Sequence, residues 1–211
     1  MTSSPSGDTR SNRKRKAILD AASRVFLSKG YLGTSMDEIA ALAGVSKQTV
    51  YKHFADKEGL FNEIVVSTVN EASDPVQQEV QSLADSGDLE ADLRDLARRE
   101  LATVMQPRLM QLRRLVIGEV GRFPALGKAF YEQGPARTMD GLASAFERLA
   151  ERGVLELDDP RAAASHFNWL VMSAPINQAM LLGRDKPPKK AELDRYVDDG
   201  VRVFLAAYGK R

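Results

Sequence analysis

The chain has 211 residues, 43% of them hydrophobic and 28% charged, enough apolar material to bury a core in one large domain or in a small module joined to a larger one. With 30 Lys and Arg against 29 Asp and Glu the net charge is only +1, which excludes a wholesale polyanion binder but leaves room for a local basic patch. Cysteine is absent and the two histidines lie far apart, which removes disulfides, thiol nucleophiles and metal-ligand spacing; the apolar runs are far shorter than the ~18 residues a bilayer span needs, and no apolar signal segment opens the chain. The expectation is a soluble cytoplasmic protein with no metal, no cofactor and no membrane contact.

Residues 1–12 are rich in Ser, Thr, Gly and Pro without periodicity and read as a disordered arm. Arg10, Arg13, Lys14, Arg15 and Lys16 then form a basic cluster, suited either to a solvated helix start or to DNA. From Arg13 to Lys29, Ile18, Ala22, Val25 and Phe26 fall on one helical face, and Gly30 stands where a left-handed C-cap belongs. Ser35 and Glu38 have capping-box spacing ahead of a second helix with Ile39, Leu42 and Ala43, ended by Gly44. Ser46 caps a third short helix, Lys47 to Phe54, and Asp56 a fourth with Leu60, Phe61, Ile64, Val65 and Thr68 on one face.

Leu89 to Met105 is helical in rhythm, and Pro107 interrupts it. Leu109, Leu112, Val116, Val120 and Phe123 make another stripe, ended by Pro124; Met139, Leu142, Phe146 and Leu149 make the next, ended near Gly153. Pro160 sits at a helix start, and Ala163 to Leu182 is a long apolar segment that Pro175 should kink. Lys186 to Lys190 reads as a loop, and Leu193, Val197, Gly200, Phe204 and Tyr208 as a last helix. No segment alternates with strand period and no repeat is visible. The fold class is all-α, with about nine helices.

No G-x-G-x-x-G, G-x-x-x-x-G-K or G-x-S-x-G occurs, so no local motif announces a dinucleotide site, a P-loop or a nucleophile elbow. The informative stretch is Thr34 to Lys57. Two short helices joined through Ala43-Gly44-Val45-Ser46 fit a helix-turn-helix, whose second helix enters the major groove by its N-terminal end. There Lys47 can donate to guanine, Gln48 can read adenine in bidentate fashion, and Thr49 offers a hydroxyl and a methyl. Tyr51, Lys52 and His53 suit phosphates on the following turn, and Thr34, Ser35, Ser46 and Lys57 stand at helix starts where phosphates are held. Residues 1–60 hold 10 Lys and Arg against 6 Asp and Glu, a balance of +4; the remaining residues carry −3. A basic head on an acidic body fits a modular DNA binder.

These residues carry a family resemblance. Ala17-Ile18-Leu19-Asp20-Ala21-Ala22, Phe26, Gly30-Tyr31, Thr34-Ser35, Ile39-Ala40, Ala43-Gly44-Val45-Ser46, Val50-Tyr51-Lys52-His53-Phe54 and Lys57-Glu58-Gly59-Leu60-Phe61 resemble the start of a TetR-family repressor over about the first 60 residues. The resemblance implies a homodimer with a C-terminal ligand-sensing domain, and repression relieved by a small molecule. The Phe123-Pro124 region and Ala174-Pro175 with Gln178-Ala179-Met180-Leu181 are similar to a multidrug-efflux-regulator subgroup. The division expected is an arm over 1–12, a DNA-binding domain over 13–58 and a ligand-binding and dimerisation domain over 59–211.

In the second part, Met105, Leu109, Leu112, Val116, Glu119, Phe123, Asn168 and Met172 are the expected pocket lining for a largely apolar effector. Glu119 shares the stripe of Leu112, Val116 and Phe123, so it needs either a structural partner or a cationic or hydroxylated ligand, and His166 carries the same ambiguity. Arg113, Arg114 and Arg122 read as solvated. The apolar surplus of the last two helices marks a dimer surface, with Phe167, Val171, Ala174, Gln178, Val197, Gly200 and Phe204 expected in it, and a two-fold dimer calls for a palindromic operator in double-stranded DNA. The competing reading is an all-α enzyme or small-molecule carrier with an incidental helix-turn-helix. A third is an architectural or replication-associated DNA binder without a sensor.

Overall fold

The computed structural model describes residues 6–183 and 188–210, with side chains from Arg10 onward. Residues 1–5 of the expected arm, and Lys186 and Pro187 of the expected loop, lie outside the described residues. Among the described residues the chain forms ten α-helical segments and no strand. They are α1 (Ser6–Lys29), α2 (Met36–Leu42), α3 (Lys47–His53), α4 (Lys57–Ser82), α5 (Leu89–Val104), α6 (Pro107–Glu119), α7 (Pro124–Tyr131), α8 (Arg137–Glu151), α9 (Pro160–Leu181) and α10 (Lys190–Tyr208). A π-helical turn, Glu132–Ala136, joins α7 to α8 without a break, so nine helical bodies result. Because α1 begins at Ser6, residues 6–12 are helical rather than part of an unstructured arm.

Side chains start the helices where the sequence places oxygen acceptors. Ser35 accepts the Glu38 amide at 3.1 Å, Asp56 the Gly59 amide at 2.7 Å, Asp88 the Ala91 amide at 3.1 Å, and Asp159 the Arg161 and Ala162 amides. The expected capping box at Ser35 is half realised. Glu38 does not turn back to the cap but accepts from Lys29 Nζ at 2.6 Å, tying α2 to the end of α1. Gly30 (φ 72°) supplies the left-handed C-cap of α1, and Gly44 (φ 65°) the turn between α2 and α3.

The chain divides into two compact units. The first comprises residues 1–68 and 111–129, and the second residues 69–110 and 130–211. The boundaries differ from the expected cut near residue 58, since the second half of α6 and the turn after it belong with the head. The physical reason is aromatic packing: Phe123 in that turn meets Tyr31 edge-on with ring centroids 4.6 Å apart, and Tyr31 in turn packs on Phe61 at 5.3 Å. In the first unit α1, α2 and α3 pack together around Ile18, Ala22, Phe26, Ile39 and Val50.

In the second unit α8, α9 and α10 pack on one another and α5 packs against α10 and α9. Phe146, Phe167 and Phe204, one from each of α8, α9 and α10, meet with centroids 5.0–5.8 Å apart at its centre. Pro75 in α4 and Pro175 in α9 both lie inside continuous helices. No helix among the described residues is long and apolar enough to cross a membrane.

Candidate nucleic-acid interface

Helix α3 spans only about two turns, so it depends on its caps and on tertiary support. Ser46 provides the cap, accepting from the Thr49 amide at 3.2 Å while its hydroxyl meets the Thr49 hydroxyl at 2.9 Å. Val50 is the buried anchor, held against α1 and α2, and Phe54 closes the other end. With that one face committed to packing, Ser46, Lys47, Gln48, Tyr51 and Lys52 are exposed, and Thr49 and His53 half-exposed. The structure thus brings seven of the ten expected DNA-contacting residues onto one short, solvent-facing segment. Among the described residues, none of the seven is buried.

Lys47 meets Asp37 of α2 at 2.7 Å, and both side chains stay mostly in solvent (58% and 66% exposed). The hydrogen bond and charge of Asp37 push the Lys47 ammonium above its ordinary pKa. An exposed pair of this kind adds little to stability and is readily exchanged.

The three remaining residues stand apart from α3. Ser35 is exposed but its hydroxyl caps α2. Thr34 is buried, its hydroxyl donating to the Gly30 carbonyl at 2.7 Å. Lys57 Nζ donates to the carbonyls of Tyr31 and Thr34, each at 3.0 Å, and lies 4.4 Å from the Tyr31 ring centre. Thr34 and Lys57 are therefore knit into the turn between α1 and α2. Of the basic cluster, Arg15 also turns inward, pairing with Glu63 at 2.7 Å and lying over Phe54.

Tyr31, read in the sequence only as part of the family resemblance, is the residue around which this turn is packed. Burial, then the Glu58 charge, push its phenol upward in pKa, and the Arg122 guanidinium lies 5.7 Å from its ring centre. Arg122, read as solvated, is exposed but also lies over Phe123. Its position beside an aromatic and a proline was the available signal. Burial lowers the pKa of Arg113, another arginine read as solvated.

The expected pocket residues fall into both units. Leu112 and Val116 are buried, and Glu119 at the end of α6 and Phe123 lie in the first unit with them, both half-buried. Met105, Leu109 and Met172 are buried and Asn168 half-buried in the second. His166 has a structural partner in the Tyr208 hydroxyl at 2.5 Å.

The expected dimer residues need correction. Phe167, Val171, Val197 and Phe204 are fully buried within the one chain, and Gly200 lets α10 approach α9 so closely that a Cβ would come within 3.0 Å of the Leu170 carbonyl. They make the core of the second unit. Ala174 and Gln178 alone of that set are exposed, on a helix that also carries Trp169 (56% exposed) and Leu181 (82% exposed). Helices apolar on two sides give a periodicity that does not say which side faces inward.

The family model for the tetR family of bacterial regulatory proteins matches residues 18–64, and that for the C-terminal domain of AefR-like transcriptional repressors matches residues 91–210. The solved structure of a TetR-family transcriptional regulator from Mesorhizobium loti MAFF303099 is similar with a TM-score of 0.89 and 46% identity, covering 95% of this chain and 99% of that one. The flavonoid-responsive regulator FrrA is similar with a TM-score of 0.77 and 35% identity over 95% and 99% of the two chains. The transcriptional regulator TtgR of Pseudomonas putida is 26% identical over 199 residues, 90% of each protein. Other curated relatives match over only 39%, 30% and 23% of their own length. Two family models in chain order, together with a helix-turn-helix whose second helix is capped, anchored and exposed, place this chain in the TetR family of DNA-binding transcriptional regulators.

Proposed function

We propose that the protein is a ligand-responsive repressor that binds a palindromic operator as a homodimer and lets go when a small, largely apolar effector occupies its second unit. The observation that carries this reading is α3, which presents Lys47, Gln48, Tyr51 and Lys52 to solvent from a three-helix base. Lys47, Gln48 and Thr49 read base edges, and Tyr51, Lys52 and His53 hold phosphates. The repressor output is supported by the match of residues 91–210 to AefR-like repressor C-terminal domains, and an aromatic effector by the likeness to a flavonoid-responsive regulator. The second copy docks on the exposed part of α9 around Trp169, Ala174, Gln178 and Leu181, and on Val203 of α10. The protein acts where the operator is, in the cytoplasm.

Effector binding releases DNA only if the effector prefers the DNA-incompetent state. Leu112, Val116, Glu119 and Phe123 are the proposed couplers, because they lie in the portion of α6 and its following turn that packs with the head. The test is unbiased DNA selection with the full-length protein, followed by a screen for compounds that release the selected duplex. A selected inverted repeat with compound-dependent release supports the reading. Selection without any sequence preference would sink it.

A further inference from the structure

Helix α5 buries Leu93, Leu96, Ala97 and Leu101, and in the same stripe it buries Glu100, 6% exposed. The flanks of the helix show where Glu100 points. On one flank Arg98 meets Asp198 of α10 at 2.6 Å and Arg94 lies 3.7 Å from the same carboxylate. On the other, Arg99 meets Glu79 of α4 at 2.9 Å. Glu100 lies between these flanks, facing the interior of the second unit. Its Oε2 has no hydrogen-bond partner among the described residues, and desolvation raises its pKa to about 7. Buried polar groups are nearly always partnered, and an unpaired one lowers stability. Among the described residues no donor meets that oxygen.

Helix α4 supplies a complement. It is joined to α5 by residues 83–88, and the Glu79–Arg99 contact ties the two helices together. Gln77 lies two residues before Glu79, and Glu100 one after Arg99. Each therefore lies within one helical turn of that contact on its own helix. Gln77 is 8% exposed, and its Nε2 also has no partner among the described residues. Its amide rests against Gly141 of α8, where a Cβ would stand 2.9 Å from Gln77 Oε1; the glycine makes room for it. The second unit thus buries an acceptor and a donor without partners among the described residues, each next in sequence to members of one apolar cluster that includes Val76, Val80, Leu96, Leu101 and Phe146.

We propose that Glu100 and Gln77 are the polar anchors of the effector site, which takes an apolar, ring-bearing molecule through a hydrogen-bond donor: Glu100 accepts from its hydroxyl or amine, and Gln77 donates to one of its oxygens. The assignment rests on the effector-binding reading above and names the class of molecule bound. Polar anchors in an otherwise apolar site fix orientation and reject analogues that lack the donor. A phenolic hydroxyl needs only an acceptor, whereas a protonated amine needs the carboxylate.

The experiment uses the full-length protein and its Glu100→Leu, Glu100→Gln and Gln77→Leu variants. The probes are naringenin, its donor-free trimethyl ether and the tertiary amine imipramine, followed by calorimetry, thermal melting and release of the selected operator. Wild type should bind naringenin or imipramine at least about ten times more tightly than the ether, a size expected for a lost buried hydrogen bond. Glu100→Leu should erase that preference, leave ether binding unchanged and raise Tm. Glu100→Gln should keep phenol binding and lose amine binding. Gln77→Leu should weaken naringenin and spare imipramine, which offers no oxygen.

A Glu100→Leu protein that binds the donor probes as wild type does, or melts lower than wild type, overturns the assignment by showing a structural role. Indifference of all three probes, with operator release by other compounds in a wider screen, overturns the donor class while the sensor reading stands. Release by no compound removes both.

Discussion

Lys57 shows how a residue with an apparent surface role can be committed to the interior. Two of its three N–H donors go to the Tyr31 and Thr34 carbonyls and its charge sits over the Tyr31 ring, so it pins the turn that begins the reading head. Lys57→Ala should lower stability by about 1–2 kcal/mol, the range of a charge-assisted hydrogen bond at a half-exposed site, and weaken binding to all DNA sequences alike. Urea melts read the first effect, and an unchanged midpoint would return Lys57 to a purely phosphate-binding role. Glu100 makes a prediction of opposite character. Its folded pKa of about 7 lies above the ordinary 4.5, so between these values the folded state holds a proton that the unfolded chain has lost. Stability from this group is therefore present at low pH and is lost as pH rises through the folded pKa, by about 2–3 kcal/mol from pH 5 to 8. Glu100→Gln should remove that part of the slope in denaturation curves collected across this range; an identical slope in both proteins would place the titration elsewhere.

The short α3 makes a prediction at the scale of an element. Gln48→Ala should relax selection at one operator position by roughly 1–3 kcal/mol without altering the melt, and repeating the DNA selection with the variant checks it. A motif identical to that of wild type would remove Gln48 from base reading. The turn after α6 offers another. Phe123→Ala removes the ring that meets Tyr31. It should leave effector affinity within about threefold, because little binding energy resides there, yet change the effector concentration that releases DNA by about tenfold. Parallel shifts in both quantities would mean that Phe123 touches the effector itself. Element boundaries were legible wherever a cap or a glycine punctuates the chain. Ser35, Ser46, Asp56, Pro160, Gly30 and Gly44 act as their residue types dictate. What stayed hidden depends on neighbours rather than on spacing. Pro75 sits within α4, and the reach of α4 to Ser82 has no terminating signal at the residue where the apolar face was last clear. Glu100 had a signal that went unused, since it lies seven residues past Leu93 and four past Leu96 on the same stripe. Phe204 illustrates the opposite limit, because a large apolar side chain suits a dimer seam and a core equally until its neighbours Phe146 and Phe167 are known.

At the scale of the molecule, charge and apolar surface are sorted by task. Residues 1–60 carry +4 and the remainder −3, so the field of DNA draws in the head and turns the body away. Trp169 and Leu181 on α9 and Val203 on α10 are among the exposed apolar side chains, and they form the surface proposed above for a second copy. Trp169→Glu should therefore yield a folded monomer with weak operator binding, since one half-site alone loses the linked contribution of the other. Sedimentation velocity checks the state, and a persisting dimer would move the interface off this surface. The Asp37–Lys47 pair adds a consequence for how such a dimer searches a genome. If Lys47 reads base edges as proposed, it meets DNA already paired with Asp37, so each contact replaces that carboxylate with a phosphate or a base-edge acceptor. On random sequence that exchange gains almost nothing, and the protein slides on. On the proposed reading, a guanine that presents both its acceptors makes the exchange favourable, and residence concentrates on the few sites where the base displaces Asp37.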